Sequence, residues 1–187
     1  MAYETLKFKI TGVSPLLMHN GQLADPLNSF AKSIAEISSK RKKTDADHIE
    51  MGRREFYGSL YMSGGRPCIP GEMLEAVMIA GAKKEKRGPQ AKAGLLVDGN
   101  ATLLYDGPTT AEELWADERF RLRVPVKVGM AKVMRTRPRF DGWSADIEVK
   151  FLPSMLNARE VKSFLQAAGE QVGIGDWRPR FGRFEVA

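Results

Sequence analysis

The chain has 187 residues, 43% hydrophobic and 28% charged, and its Lys and Arg outnumber Asp and Glu by 29 to 23 for a formal net charge of +6. That length fits one domain carrying a large insertion, and the basic balance favours a polyanionic partner. A single cysteine and two histidines exclude a disulfide framework, a zinc ribbon or a His-rich metal centre within one chain, so no metal or other cofactor is expected.

The N-terminus has no basic-then-apolar leader, and no apolar run approaches the roughly 18 residues of a membrane span, so a cytoplasmic protein with no membrane partner is expected. Leu6, Phe8 and Ile10 alternate with Lys7, Lys9 and Thr11, the pattern of a half-buried strand ending near His19. His19 reads as structural rather than as a base. Asp25-Pro26 resembles a helix N-cap and first-turn proline, followed by a stripe of Leu27, Phe30, Ile34 and Ile37. Residues 38–47 are the least core-like, and are expected to be exposed and mobile, or to form a basic finger. Asp45, Asp47, His48 and Glu50 read as a solvated helix start with Ile49 turned inward, rather than as a metal site. Residues 56–62 fit either helix or strand, and Ser63-Gly64-Gly65-Arg66-Pro67 marks a turn.

Pro70 and Glu72 open a helix with Met73, Leu74, Val77, Met78 and Ile79 on its buried face. Lys83, Lys84, Lys86, Arg87 and Lys92 then exceed what the C-terminus of one helix requires. Residues 95–97 and 101–105 read as strands joined by the turn Asp98-Gly99-Asn100. Phe120, Leu122, Val124, Val126 and Val128 alternate with a largely basic face, on which Pro125 suggests an edge or bulge. Lys127, Lys132, Arg135, Arg137 and Arg139 follow with no acidic residue among them. Extended backbone would point Arg135, Arg137 and Arg139 the same way, as a phosphate-tracking row or as the charged side of an exposed hairpin.

Trp143 to Phe151 gives the clearest alternation in the chain. Asn157-Ala158-Arg159-Glu160 is a capping-box pattern opening a helix with Val161, Phe164, Leu165, Ala168 and Val172 on one face. After it comes a glycine-punctuated loop containing Gly173, Gly175, Trp177, Arg178, Arg180, Gly182 and Arg183, and then a last strand with Phe184 and Val186. Glycines permit close backbone approach, and arginines supply donors for phosphate. The loop therefore reads as an anion-binding element or as a plain connection with solvated arginines.

Together these elements give an α+β, ferredoxin-like or RRM-like βαββαβ antiparallel sheet with insertions and a β-hairpin arm. Residues 1–187 are expected to form one such domain, with 21–65 as an inserted finger and 127–142 as the basic arm. The glycine loop between second helix and last strand resembles that of the RAMP superfamily, the repeat-associated proteins of CRISPR effector complexes. Ile69-Pro70-Gly71-Glu72-Met73-Leu74-Glu75-Ala76 is similar to the first-helix start of its backbone-type subunits, and Ser14-Pro15-Leu16-Leu17 is a weaker echo. The loop has one glycine near its end where the family often has two, and the chain is short for a backbone subunit, which leaves open a solitary phage or mobile-element relative.

The resemblance implies a non-catalytic protein that binds single-stranded guide RNA, with single-stranded DNA as the alternative. It also implies side-by-side assembly as a homo-oligomer or as a subunit of a ribonucleoprotein filament, with a role in antiviral defence. Contacts would come from Lys83, Lys84, Lys86 and Arg87, from Lys132, Arg135, Arg137 and Arg139, and from the glycine loop, with Trp177, Phe181 or Trp143 stacking on bases. Two other readings stay open. One is a metal-dependent endoribonuclease, since some relatives cut RNA with a loop aspartate and Asp25, Asp45 and Asp47 lie in the comparable insertion. The other is a decoy that blocks CRISPR assemblies. No catalytic residue and no metal ligand is assigned.

Overall fold

A computed structural model describes residues 2–187, apart from the side chain of Val128. In chain order its strands are β1 (Glu4–Gly12), β2 (Leu16–Leu17), β3 (Met62–Ser63), β4 (Arg66–Ile69), β5 (Leu95–Leu96), β6 (Ala101–Thr102), β7 (Arg121–Val128), β8 (Ala131–Phe140), β9 (Ser144–Phe151) and β10 (Phe184–Val186). The α-helices are α1 (Ser29–Ser38), α2 (Asp45–Ser59), α3 (Gly71–Lys84), α4 (Gly88–Gly94), α5 (Ala111–Ala116) and α6 (Ala158–Ala167). The chain divides into two compact units, the first comprising the segment up to Leu17 with Met62–Asp106 and Phe140–Ala187, the second Met18–Tyr61 with Gly107–Arg139.

The first unit is the ferredoxin-like α+β body. Its sheet has the order β10-β1-β9-β5 with antiparallel neighbours, so that β1, α3, β5, β9, α6 and β10 make the βαββαβ succession. Alternation buries Ile10 of β1 and Ala145, Ile147, Val149 and Phe151 of β9 on one face. The connecting helices bury Leu74, Val77 and Met78 of α3 and Val161, Phe164 and Leu165 of α6. The two helices approach so closely that a Cβ at Gly81 would overlap the Phe164 carbonyl oxygen.

Three local expectations change here. Residues 95–96 and 101–102 do not form a hairpin, because β5 pairs with β9 while β6 pairs with β4 in a separate sheet. The basic stretch after α3 is partly helical, since Pro89 at the first turn starts α4. The strand expected from Trp143 starts at Ser144, with Trp143 buried and its indole N–H donating to the Ser14 carbonyl at 2.9 Å.

In the second unit, α1 is capped by Asn28 rather than Asp25: the Asn28 side-chain oxygen accepts from Phe30 N at 2.9 Å. Leu27 therefore falls outside the helix and is 75% exposed. A capping box of Thr44 and Asp47 opens α2, which runs on through the ambiguous stretch to Ser59. Ile49 points outward, 64% exposed, because the buried face of α2 is Gly52, Glu55, Phe56 and Ser59. Gly58 lets α1 and the preceding turn pack close, since a Cβ there would lie 2.6 Å from Leu23 Cδ2 and 3.0 Å from Phe30 Cβ. Strands β7 and β8 form the antiparallel hairpin, from Arg121 opposite Pro138 to Val128 opposite Ala131.

Candidate nucleic-acid interface

The glycine loop grows out of a distortion at the end of α6. The helix continues into a π-helical turn over Ala168–Val172, closed by Gly173 N donating to Ala168 O at 2.8 Å. Gly173, Gly175 and Gly182 have φ of 74°, 86° and 73°. Ile174 N donates to Gly182 O, Gly182 N to Pro15 O and Asp176 N to Leu17 O, each at 2.8 Å. A Cβ at Gly182 would overlap the Ile174 carbonyl oxygen, and one at Gly175 the Leu17 carbonyl oxygen. These glycines thus hold the loop down by backbone contact.

What the loop presents is Trp177, at φ 54° and 48% exposed, with its ring centroid 5.4 Å from that of Phe181. Its arginines are divided. Arg183 braces the loop: its N–H donates to Ser14 Oγ at 2.9 Å and its Nε to the Pro179 carbonyl at 3.0 Å. Arg180 lies 6.0 Å from the Phe181 ring centroid, and Arg178 faces an open groove of about 860 Å³.

That groove joins the loop to the end of α3. Lys83, Lys84, Gly175, Asp176, Trp177 and Arg178 all line it. Lys83 and Lys84 both stand in the last turn of α3, where they complement the carbonyl end of the helix without any ligand. Neither lysine nor Arg178 has an acidic partner among the described residues. The carboxylate at the groove is Asp176, whose Oδ1 accepts from Trp177 N at 2.9 Å. Arg87, by contrast, turns to Glu160 at 2.8 Å, and Lys86 sits at the helix exit with φ 60°.

No protein-family model and no curated protein matches this chain. Among solved structures, the crystal structure of Cmr6 from Pyrococcus furiosus aligns over 100% of both chains, with a TM-score of 0.44 and 12% identity.

The outward face of the main sheet offers a different surface. Register places Lys7 opposite Glu148 and Lys9 opposite Asp146, with Lys7 Nζ 3.8 Å from Glu148 Oε2. Lys150 donates to Asp98 at 2.9 Å, which holds that carboxyl below its usual range. Charges cancel across this face and Thr5, Lys7, Lys9, Thr11, Asp146, Glu148 and Lys150 bring no aromatic ring to it. It lacks what a stacking platform needs.

In the second unit, Arg135 and Arg137 share one side of β8, and both reach the same partner. Their Nη1 atoms lie 3.3 Å from Oε1 of Glu55, whose Oε2 accepts from Thr136 N at 2.8 Å. Glu55 is 6% exposed. Arg139 ends the row half-buried, and Lys132 stands exposed near the turn. Glu55 escaped the sequence reading, although its spacing from Gly52, Phe56 and Ser59 marks it as a buried-face residue of α2.

Among the described residues no three His, Cys, Asp or Glu side chains converge on a point where a metal could sit. Asp25 accepts from Leu27 N at 2.8 Å, while Asp47 is the capping-box carboxylate of α2. The Cys68 thiol is buried, and burial pushes its pKa up. No helix among the described residues is long and apolar enough to cross a membrane.

Proposed function

We propose that this protein binds single-stranded nucleic acid, RNA in the first instance, through the groove between the end of α3 and the glycine loop, and that copies or like subunits assemble side by side along the strand. The observation that carries the reading is the convergence of Lys83 and Lys84 with Trp177 and Arg178 on one open surface. Cations there neutralise backbone phosphates, and an exposed indole offers a face to a base of any identity. An open groove suits a polymer that passes through it rather than an enclosed small molecule. The residue-level resemblance to RAMP backbone subunits points the same way, and the assembly reading rests on it.

The test is a labelled single-stranded RNA titrated by fluorescence anisotropy across a salt series. The triple replacement Lys83→Ala, Lys84→Ala and Arg178→Ala removes three phosphate contacts, so the slope of log affinity against log salt should flatten by about 2. Arg183 is left alone because it braces the loop. Unchanged affinity and slope would overturn the assignment. Particle size before and after RNase tests assembly: RNase-sensitive large particles support it, and a monomer unchanged by added RNA removes it.

A further inference from the structure

A second recess lies wholly within the second unit. It is an open recess of about 320 Å³, lined on its apolar side by Ile49 and Trp115 and on its polar side by His48, Arg121, Arg123 and Thr136. That volume is at the lower end of the range for small-molecule pockets, roughly 300–1,000 Å³. Gly52 lies on its wall, where a Cβ would come within 3.0 Å of Thr136 Oγ1 and 4.0 Å of Trp115 Cη2. Glycine is unfavourable in the interior of a 15-residue helix, and the close approach of Thr136 accounts for one here.

The polar side of the recess is short of acceptors. The Arg121 guanidinium lies 4.6 Å from the Trp115 ring centroid, and its Nε is buried with no hydrogen-bond partner. Arg123 is exposed with no acidic partner among the described residues. The acid at the rim, Glu118, is 3.4 Å from Arg121 Nη2 with its own side chain 93% exposed. A wider trough of about 540 Å³ shares His48, Gly52, Arg123 and Thr136 with the recess and adds Lys43 and Lys132. The carboxylate in that trough is Glu55, already held by Arg135 and Arg137.

We infer that this recess takes a nucleotide, with its base, sugar and phosphate together. The base lies against Trp115 and Ile49, and the phosphate is met by Arg123 and by the accessible part of the Arg121 guanidinium. The ligand chemistry is common to a free mononucleotide and to one residue of a single strand, whose next phosphates would follow Lys43 and Lys132. Only the second source rests on the nucleic-acid reading above.

The full chain is photocrosslinked to 4-thiouridine monophosphate and, separately, to a short single-stranded RNA carrying 4-thiouridine, and the adducts are mapped by peptide mass spectrometry. Affinities for uridine monophosphate and for the strand are measured on the native chain, on Trp115→Leu, and on the double variant His48→Ala/Arg123→Ala. The double variant alters only exposed side chains and so keeps the test valid if Trp115→Leu fails to fold. Adducts on the His48–Ile49 or Trp115 peptides, with roughly tenfold weaker monophosphate binding in the variants, are expected. Monophosphate adducts in the recess with no strand binding anywhere would leave this site standing with a free nucleotide as its ligand, and would sink the groove. Strand adducts in the recess with weakened strand binding would identify the polymer as its ligand. If neither probe marks the recess peptides and the double variant binds both as the native chain does, the inference is overturned.

Discussion

Two stretches of this chain look alike on paper: the basic segment after α3 with the glycine loop, and the arginine row of the β7–β8 hairpin. In the structure they part. Arg135 and Arg137 converge on one buried carboxylate, while Lys83, Lys84 and Arg178 line an open groove without acidic partners. The difference arises on another element, because Glu55 comes from α2, far in sequence from the arginines it holds. A run of cations therefore locates charge along the chain, whereas the opposing elements decide which charges stay available to a ligand.

The largest expected effect tests how each region is held. Gly182→Ala places a methyl group on the Ile174 carbonyl oxygen at φ 73°, where backbone must move. A loss of about 4 kcal/mol is expected, in the range reserved for combined strain and overpacking. Gly129, in the hairpin turn at φ 60°, has nothing within 4 Å of the added Cβ. Gly129→Ala should cost only the left-handed strain of about 1 kcal/mol. Urea midpoints measure both, and equal losses would mean that the loop is not pinned by backbone contact.

Next is the network that sets the hairpin apart. Glu55→Ala leaves two guanidiniums and the Thr136 N–H without their shared acceptor. Breaking a fully buried pair costs about 3–5 kcal/mol. Arg135 keeps 31% of its side chain in solvent, so about 3 kcal/mol is the expectation here. Glu55→Gln retains an acceptor for Thr136 N and should recover part of the loss. A change below about 0.5 kcal/mol, the scale of ordinary surface substitutions, would remove the distinction between the two basic regions.

The parts of this contrast that were legible in the sequence are those fixed by near neighbours. Alternation marked β1 and β9, the Asn157–Glu160 spacing marked the start of α6, and Gly173 marked its end. Residues 95–105 were misread because their pairing is decided by β9 and β4, which are distant in sequence. Ile49 was misplaced because one turn of α2 offers two apolar directions and only tertiary packing chooses. The cations that line the groove, Lys83, Lys84 and Arg178, lie in the two basic stretches that the sequence sets apart. Which basic residues of those stretches turn inward as braces, as Arg183 and Arg87 do, and which stay at the open groove, as Arg178 does, depends on carbonyls and carboxylates that no local pattern specifies. The second recess left only a faint signal, a glycine in mid-helix, since its walls come from α2, the hairpin and the residues around α5.

The smallest expected effects compare the two capping boxes, one in each unit. Asn157→Ala in α6 and Thr44→Ala in α2 should each cost about 1 kcal/mol. Their carboxylates are held differently, because Glu160 receives Arg87 from elsewhere in the chain whereas Asp47 receives Lys40 from just before its own helix. The hydrogen bond from Lys40, helped by the Thr44 backbone N–H, lowers the Asp47 carboxyl from 3.8 to about 2. A carboxyl more acidic in the folded than in the unfolded chain stabilises the fold above the unfolded value, and that contribution fades as pH falls through the folded one. The window therefore runs from 3.8 down to about 2. Glu50 and Asp117 are also lowered, by Arg53 and Arg119 first, so the native chain will lose stability on acidification for several reasons. The informative quantity is the difference in urea midpoint between the native chain and Asp47→Asn, followed from about pH 5 to about pH 2. That difference should favour the native chain at the upper end and shrink across the window. If it stays constant, Lys40 does not hold the Asp47 carboxylate, and the start of α2 is fixed by Thr44 alone.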